Sequence, residues 1–335
     1  MKKRVTGSLV IAAGIALIAI TVARNLFAVG PAFENLIDDF RPWLTDETIA
    51  TLQADLDGLG GAVESIQTGM IPDLAAQLNV TPEELAATIG EQFPDVATGL
   101  QVVPQASGEF AGIIGLLDEQ QANFLSADEI PTADLPATTV PWGFLAAGVL
   151  ALVVGVAMLR FGRWGDIAAV ALGALLVVAA VVLSLPGKAS DADDLNAALK
   201  PVYTEEMVTG ASGAVAALGA MGDEMSSAML PGLGQMLGMT PEEVQGFIQQ
   251  SYPEIAGAMQ AMPDAIGRFD AMVATFAGNL DNYETLRPVA FVPIVWTMVG
   301  AGAVILLAGL AALFPPAVDR RRTAVESEPR VPVGV

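Results

Sequence analysis

Four windows of this 335-residue chain are long, apolar and free of charge, and they constrain it more than any other feature. They run from about Val5 to Ala23, from Pro141 to Leu159, from Ile167 to Leu185 and from Phe291 to Phe314. A helix needs about 20 apolar residues to cross roughly 30 Å of hydrocarbon. Backbone groups inside hydrocarbon must be satisfied within the segment, so windows of this length predict four transmembrane helices. Within them Gly7/Gly14, Gly148/Gly155 and Gly302/Gly309 each recur seven residues apart. Small residues on one stripe let helices approach closely, which predicts a compact four-helix bundle or a homodimer contact rather than a pore. No Asp, Glu, Lys or Arg lies in the middle of a window, which argues against an ion- or proton-coupled carrier.

Charge is sorted along the chain. The segments before the first window, between the second and third, and after the fourth hold nine basic and four acidic residues, among them Lys2, Lys3, Arg4, Arg160, Arg163, Arg320, Arg321, Arg322 and Arg330. Residues 30–139 hold 19 acids and one base, and residues 187–289 hold 14 acids and four bases. Basic segments stay in the cytoplasm. The expected fold class is thus an all-α membrane protein with both termini inside the plasma membrane and two large acidic loops outside. The first window also fits a signal peptide, with a basic start and small residues near Ala28 and Gly30. Its counterpart at Ile167–Leu185 cannot be one. Arg24, at the outer end of the first window, fits a side chain that reaches the headgroups.

The two halves match without a gap over about 95 residues at an offset of 159. Asn35–Ile49 lines up with Asp194–Val208, Pro72 with Pro231, Phe93-Pro94 with Tyr252-Pro253, Pro104 with Pro263, and Phe110 with Phe269. The second and fourth windows match at 154, pairing Trp142 with Trp296. This predicts a tandem repeat of span, outside domain, span, with a pseudo-two-fold along the membrane normal. The expected boundaries are an N-terminus and first span over 1–29, an extracytoplasmic domain over 30–139 and a second span over 140–161. A cytoplasmic link over 162–166, a third span over 167–186, a homologous domain over 187–289, a fourth span over 290–315 and a tail over 316–335 complete the chain.

Both outside domains read as helical, with Val96, Leu100, Val103, Phe110, Ile113, Ile114 and Leu117 at helical spacing. Four or five helices are expected in each. Breaks are expected at Pro42, Pro72, Pro82, Pro94 and Pro104, and the first helix is expected to continue the membrane span. In Thr81-Pro82-Glu83-Glu84 and Thr240-Pro241-Glu242-Glu243 the threonine can cap a helix and the second glutamate can close a capping box. Asn79 and Gly238 just before them suit a left-handed helix end. The paired glutamates are read as helix starts, not as an acid/base pair, and the Asn79-Val80-Thr81 sequon as part of the same corner.

The chain has no Cys and no His, so thiolate chemistry and the usual neutral-pH proton shuttle are absent. No phosphate-binding loop, nucleophile elbow or zinc-protease motif occurs, and no enzyme or cofactor is expected. Nine of the 13 methionines lie in the second domain. Met221, Met225, Met229, Met236, Met239, Met259 and Met262 are the candidate apolar face, either flexible core filler or a groove for a lipid tail or a partner helix. Thioethers also suit Cu(I), but the matching first-half positions are mostly ordinary hydrophobes. The acidic surfaces lack a calcium-loop motif, and their sign excludes nucleic acid. The expected function is a non-enzymatic membrane protein whose acidic domains engage an envelope protein or an amphiphile. The alternative is an accessory subunit of an exporter of lipids or small apolar molecules.

Overall fold

The computed structural model describes residues 2–132 and 135–314, and the 316–335 tail with its four arginines lies outside the described residues. The described residues are all helical apart from turns and one isolated bridge between Thr132 and Leu135. Four helices are long and apolar enough to cross a membrane: α1 (Lys2–Ala23), α7 (Thr139–Arg160), α8 (Arg163–Val182) and α15 (Phe291–Leu313). The other elements are α2 (Leu26–Phe40), a 3-10 turn (Arg41–Leu44), α3 (Asp46–Ser65), α4 (Ile71–Leu78), α5 (Pro82–Gln92) and α6 (Pro94–Asp128) in the first half. The second half has α9 (Leu185–Leu199), α10 (Glu205–Glu224), α11 (Leu230–Leu237), α12 (Pro241–Ser251), α13 (Pro253–Gly278) and α14 (Leu280–Leu286).

The chain divides into two units. The span unit comprises Met1–Glu34, Ser126–Asp193 and Pro288–Val335, and the helical unit comprises Asn35–Leu125 and Asp194–Arg287. In the span unit α1 packs on α7 and α15, and α8 packs on α15 and α7. The predicted glycines sit where helix backbones meet. A Cβ on Gly14 would lie 2.7 Å from the Gly148 carbonyl oxygen, and one on Gly155 would lie 3.1 Å from the Gly7 carbonyl oxygen. Across the other pair, a Cβ on Gly302 would lie 2.9 Å from the Leu176 side chain and one on Gly309 would lie 3.0 Å from the Asp166 carbonyl oxygen. The outward faces carry Ile15, Leu150, Val153, Leu175, Val178 and Leu307, all exposed. Exposed Trp142 and Trp296 lie near the starts of α7 and α15, and exposed Phe161, Trp164 and Phe314 lie at the opposite helix ends.

The span helices do not run on into the next helices. Asn25 (φ 48°) and Ser184 (φ 53°) are left-handed and end α1 and α8, and α2 and α9 start afresh. The expected continuous helix is therefore broken at both places. The third span also ends sooner than read, at Val182, and the link before it is only Phe161-Gly162. Gly162 has φ 61°, a left-handed turn that favours glycine. A Cβ on Gly165 would collide with the Met158 backbone, so the two spans can meet only over a glycine there.

Elements of the two halves have equal lengths at an offset of 159: α2 and α9, α3 and α10, α4 and α11, α5 and α12. Five residues of π-helix, Ile66–Met70 and Met225–Met229, follow α3 and α10. The halves are interlocked: α3 packs on α13 of the other half, α10 packs on α13 of its own half, and α10 also meets α6, where a Cβ on Gly99 would collide with the Met221 side chain. Phe110 of α6 and Phe269 of α13 are 2% and 0% exposed and touch each other. Four expected breaks do not occur: Pro104 and Pro263 lie inside α6 and α13, and at Pro72 and Pro231 helix runs on through the π segments from α3 into α4 and from α10 into α11. Proline removes its own N–H and frees the carbonyl four residues earlier. The Leu100 carbonyl freed by Pro104 accepts from the Gln67 amide at 3.3 Å, which repairs the loss.

Candidate functional site

The Thr-Pro-Glu-Glu corners are capping boxes in geometry. The Thr81 hydroxyl accepts from Glu84 N at 3.2 Å, and Glu84 Oε2 accepts from Thr81 N at 2.9 Å. At the second corner the same two bonds are 3.3 and 2.8 Å, between Thr240 and Glu243. Asn79 (φ 54°) and Gly238 (φ 68°) end the preceding helices in the left-handed region. Glu84 and Glu243 are thus committed to the backbone at helix starts, where negative charge also suits the dipole. Glu83 instead lines a surface cleft of about 370 Å³ with Gln67, Ala86, Leu100 and Gln101.

The seven methionines do not form one face. Met221, Met225, Met229 and Met262 are 1, 3, 3 and 6% exposed, so these four are core. Met239 and Met259 are half-buried, and Met236 is exposed. Part of the set does converge. Met225, Met259 and Met262 line a surface pocket of about 350 Å³ between α10, the π segment and α13, together with Gly222, Asp223, Ser226 and Ile266. Met225 and Ser226 open the π segment, and such segments recur at functional sites. A Cβ on Gly222 would lie 2.8 Å from Met262 Sδ. Its first-half equivalent, Val63, carries that side chain and is buried.

The unit that holds the pocket is strongly acidic. The helical unit holds 27 acidic residues and four basic ones. Of the four, Arg268 is held by both carboxylate oxygens of Asp55 at 2.6 and 2.7 Å, and Arg41 pairs with Asp38 at 3.0 Å. The Arg268 guanidinium is raised further above its ordinary range, chiefly by that hydrogen bond to Asp55. Among the described residues no cluster of three or more acidic, His or Cys side chains could hold a metal ion.

Two polar features escaped the sequence reading. Tyr203 is 2% exposed, stacks on Tyr283 with centroids 4.5 Å apart and has a hydroxyl with no hydrogen-bond partner. Burial first, then the charges of Tyr283 and Asp39, push its phenol far above the ordinary range. Beside it Asn279, 1% exposed, donates to Asp39 at 2.8 Å and accepts from Asn282 at 2.9 Å. Asp166, expected in the cytoplasmic link, is the fourth residue of α8, 2% exposed, with Oδ1 unpartnered. Neither has a sequence signal, because each depends on which distant helices close over it.

No family model, no curated protein and no solved structure matches the chain.

Proposed function

We propose that the chain is a non-enzymatic, multi-pass plasma-membrane protein whose acidic helical unit lies outside the cell and binds an amphiphile. The observation that carries this reading is the methionine-lined pocket within a unit of 27 acids and four bases. Methionine adapts its shape to irregular apolar ligands. The pocket volume falls at the small end of the range for small-molecule sites, roughly 300–1,000 Å³.

The membrane orientation rests on charge. Arg4, Arg160 and Arg163 lie at one end of the span helices and the acid-rich segments at the other, as basic cytoplasmic ends require. The exposed tryptophans near one end and aromatics at the other suit the two bilayer interfaces. We read the equal helix lengths, the paired π segments, the paired capping boxes and the paired breaks at Asn25 and Ser184 as products of one duplication. The chain lacks cysteine, so single cysteines report sidedness cleanly. A Gly58→Cys protein should react with an impermeant maleimide on intact cells, and an Ala324→Cys protein only after lysis. The reverse pattern would invert the proposal.

The binding claim is tested by native mass spectrometry of the full chain released from membranes in mild detergent, beside Met259→Gln. An amphiphile retained by the wild type and lost from the variant supports the proposal. A chain that emerges lipid-free, or carrying only a protein, overturns it. The exporter-subunit alternative needs a passage through the spans, and helix pairs that meet at backbone distance over Gly14/Gly148 and Gly173/Gly302 leave little room for one.

A further inference from the structure

The pocket between α10 and α13 has a chemical preference that its lining and its surroundings define together. Its floor is soft and apolar: Met225 and Met262 are buried, Met259 is half-buried and Ile266 closes one side. The charged residue among its lining is Asp223, and no lining residue is basic. Asp223 also anchors the mouth through its backbone, since its carbonyl accepts from Ser226 Oγ at 3.1 Å and Ser227 Oγ at 2.6 Å. Any anionic headgroup at this mouth would meet a carboxylate in a unit that is overwhelmingly negative, and like charges repel.

Comparison of the halves shows how the pocket opens. The positions matching Met225, Met259, Met262 and Gly222 hold Ile66, Leu100, Val103 and Val63. Three stiff aliphatic side chains are thus replaced by flexible thioethers, and a valine that fills space is replaced by a glycine. A wall that can repack over a tail and a missing side chain that makes room belong to the second half alone, whereas the rim acid Asp223 is matched by Glu64 in the first half.

We propose that this pocket binds a lipophilic cation, an alkyl chain bearing an amine or quaternary ammonium group. The tail lies against Met225, Met259 and Met262, and the head lies at Asp223. This rests on the proposed amphiphile-binding function and names its ligand class. Copper(I) is the competing occupant of a methionine-lined site. A volume of about 350 Å³ is far more than one ion needs.

The test uses the full chain in lipid nanodiscs with methyl-labelled methionine, the methyl resonances being assigned by single Met→Leu changes. The probes are hexyltrimethylammonium, hexanoate and tetramethylammonium. Hexyltrimethylammonium should shift the Met259 and Met262 methyls saturably, and the other two should not. Asp223→Asn should weaken its binding about fivefold, the scale of a partly solvated charge pair. Gly222→Val should abolish the shifts; the added side chain meets the flexible end of Met262, and retention of the other methionine resonances reports the intact fold. Equal shifts by hexanoate would overturn the charge preference. Shifts by Cu(I) and none by hexyltrimethylammonium would overturn the ligand class in favour of a thioether metal site. If the chain retains a cellular amphiphile but its methionine methyls ignore hexyltrimethylammonium, the proposed function stands and this inference fails.

Discussion

Phe110 and Phe269 meet with ring centroids 4.9 Å apart and an interplanar angle of 41°. They lie 159 residues apart, at positions that the proposed duplication would pair, and under that proposal a residue touches its own counterpart, as on a pseudo-two-fold axis. Two further contacts come in near-matching pairs. Ser65 donates to Glu254 at 2.6 Å, and Glu224, which matches Ser65, accepts from Val96 N, next to the residue matching Glu254, at 2.8 Å. Tyr252 packs by Gly69 and donates to Asp73 at 2.8 Å, and at the equivalent place Phe93 packs on Gly232. Phe110→Ala or Phe269→Ala should each cost about 3–5 kcal/mol, the range for a fully buried phenylalanine. The double variant should cost clearly less than the sum, because the rings share one contact. Denaturant melts of the four proteins check this; strict additivity would place the rings in separate cores.

The capping corners should behave as independent local elements. Thr81→Ala and Thr240→Ala should each destabilise by about 1 kcal/mol and combine additively. Glu83→Gln, outside the capping bonds, should leave stability nearly unchanged. Thermal melts of the helical unit within the full chain measure both.

These corners were legible in the sequence because every bond in them spans three residues. The span helices were legible for a similar reason, since length and apolarity are local. The glycines at span contacts also showed in the seven-residue spacing. What was not legible depends on contacts far apart in the chain. Pro104 looks like a helix end until Gln67 is seen to serve the Leu100 carbonyl. Met221 looks like a member of a groove until it is found against Gly99, where it fills the core. Only when α10 lies on α13 do buried Met225 and Met262 and half-buried Met259 come together to line the pocket.

Span glycines divide by what a side chain would meet. A Cβ on Gly173 collides with the Leu306 backbone, whereas one on Gly143 meets nothing within 4 Å. Gly173→Ala should therefore destabilise the span unit by about 1–3 kcal/mol through forced separation of α8 and α15. Gly143→Ala should be neutral or stabilise by up to about 1 kcal/mol. Thermal unfolding in one detergent separates the two cases.

All three tyrosines are held above the ordinary phenol range. Burial, and then the hydrogen bond to Asp73, push Tyr252 up to about 12, and burial pushes Tyr283 up as well. The neutral phenol is the form the folded state favours. Its stabilising contribution is therefore complete below the unfolded value of about 10 and is lost as pH rises through the folded one. For Tyr252 that window runs from about 10 to about 12. Phenolate absorbance of the folded protein should not develop around pH 10, and Tyr252→Phe should remove one component near 12. A full tyrosine equivalent titrating at 10 in the folded chain would contradict the buried, hydrogen-bonded arrangement.

The exchange of helices between halves makes a stronger prediction than any point change. The α3 helix packs on α13 of the other half, and Met221 of α10 reaches Gly99 of α6, so each half leaves apolar helix surface open without the other, although α10 also packs on α13 within its own half. Arg268 and Asp55 add a two-pronged bond between the halves, and Trp43 donates to Thr275 at 3.1 Å. Arg268→Ala should cost about 1–2 kcal/mol, less than a fully buried pair because the arginine is 37% exposed. Cutting the chain in the short link between α7 and α8 leaves residues 1–161 and 162–335, each with two spans. Expressed singly, each fragment should be degraded or aggregate, since neither buries its core. Expressed together, they should co-purify as a one-to-one complex whose melting matches the intact chain within a few degrees. Two fragments that fold and stay monomeric apart would show that each half builds its own core, and the exchanged packing would be wrong.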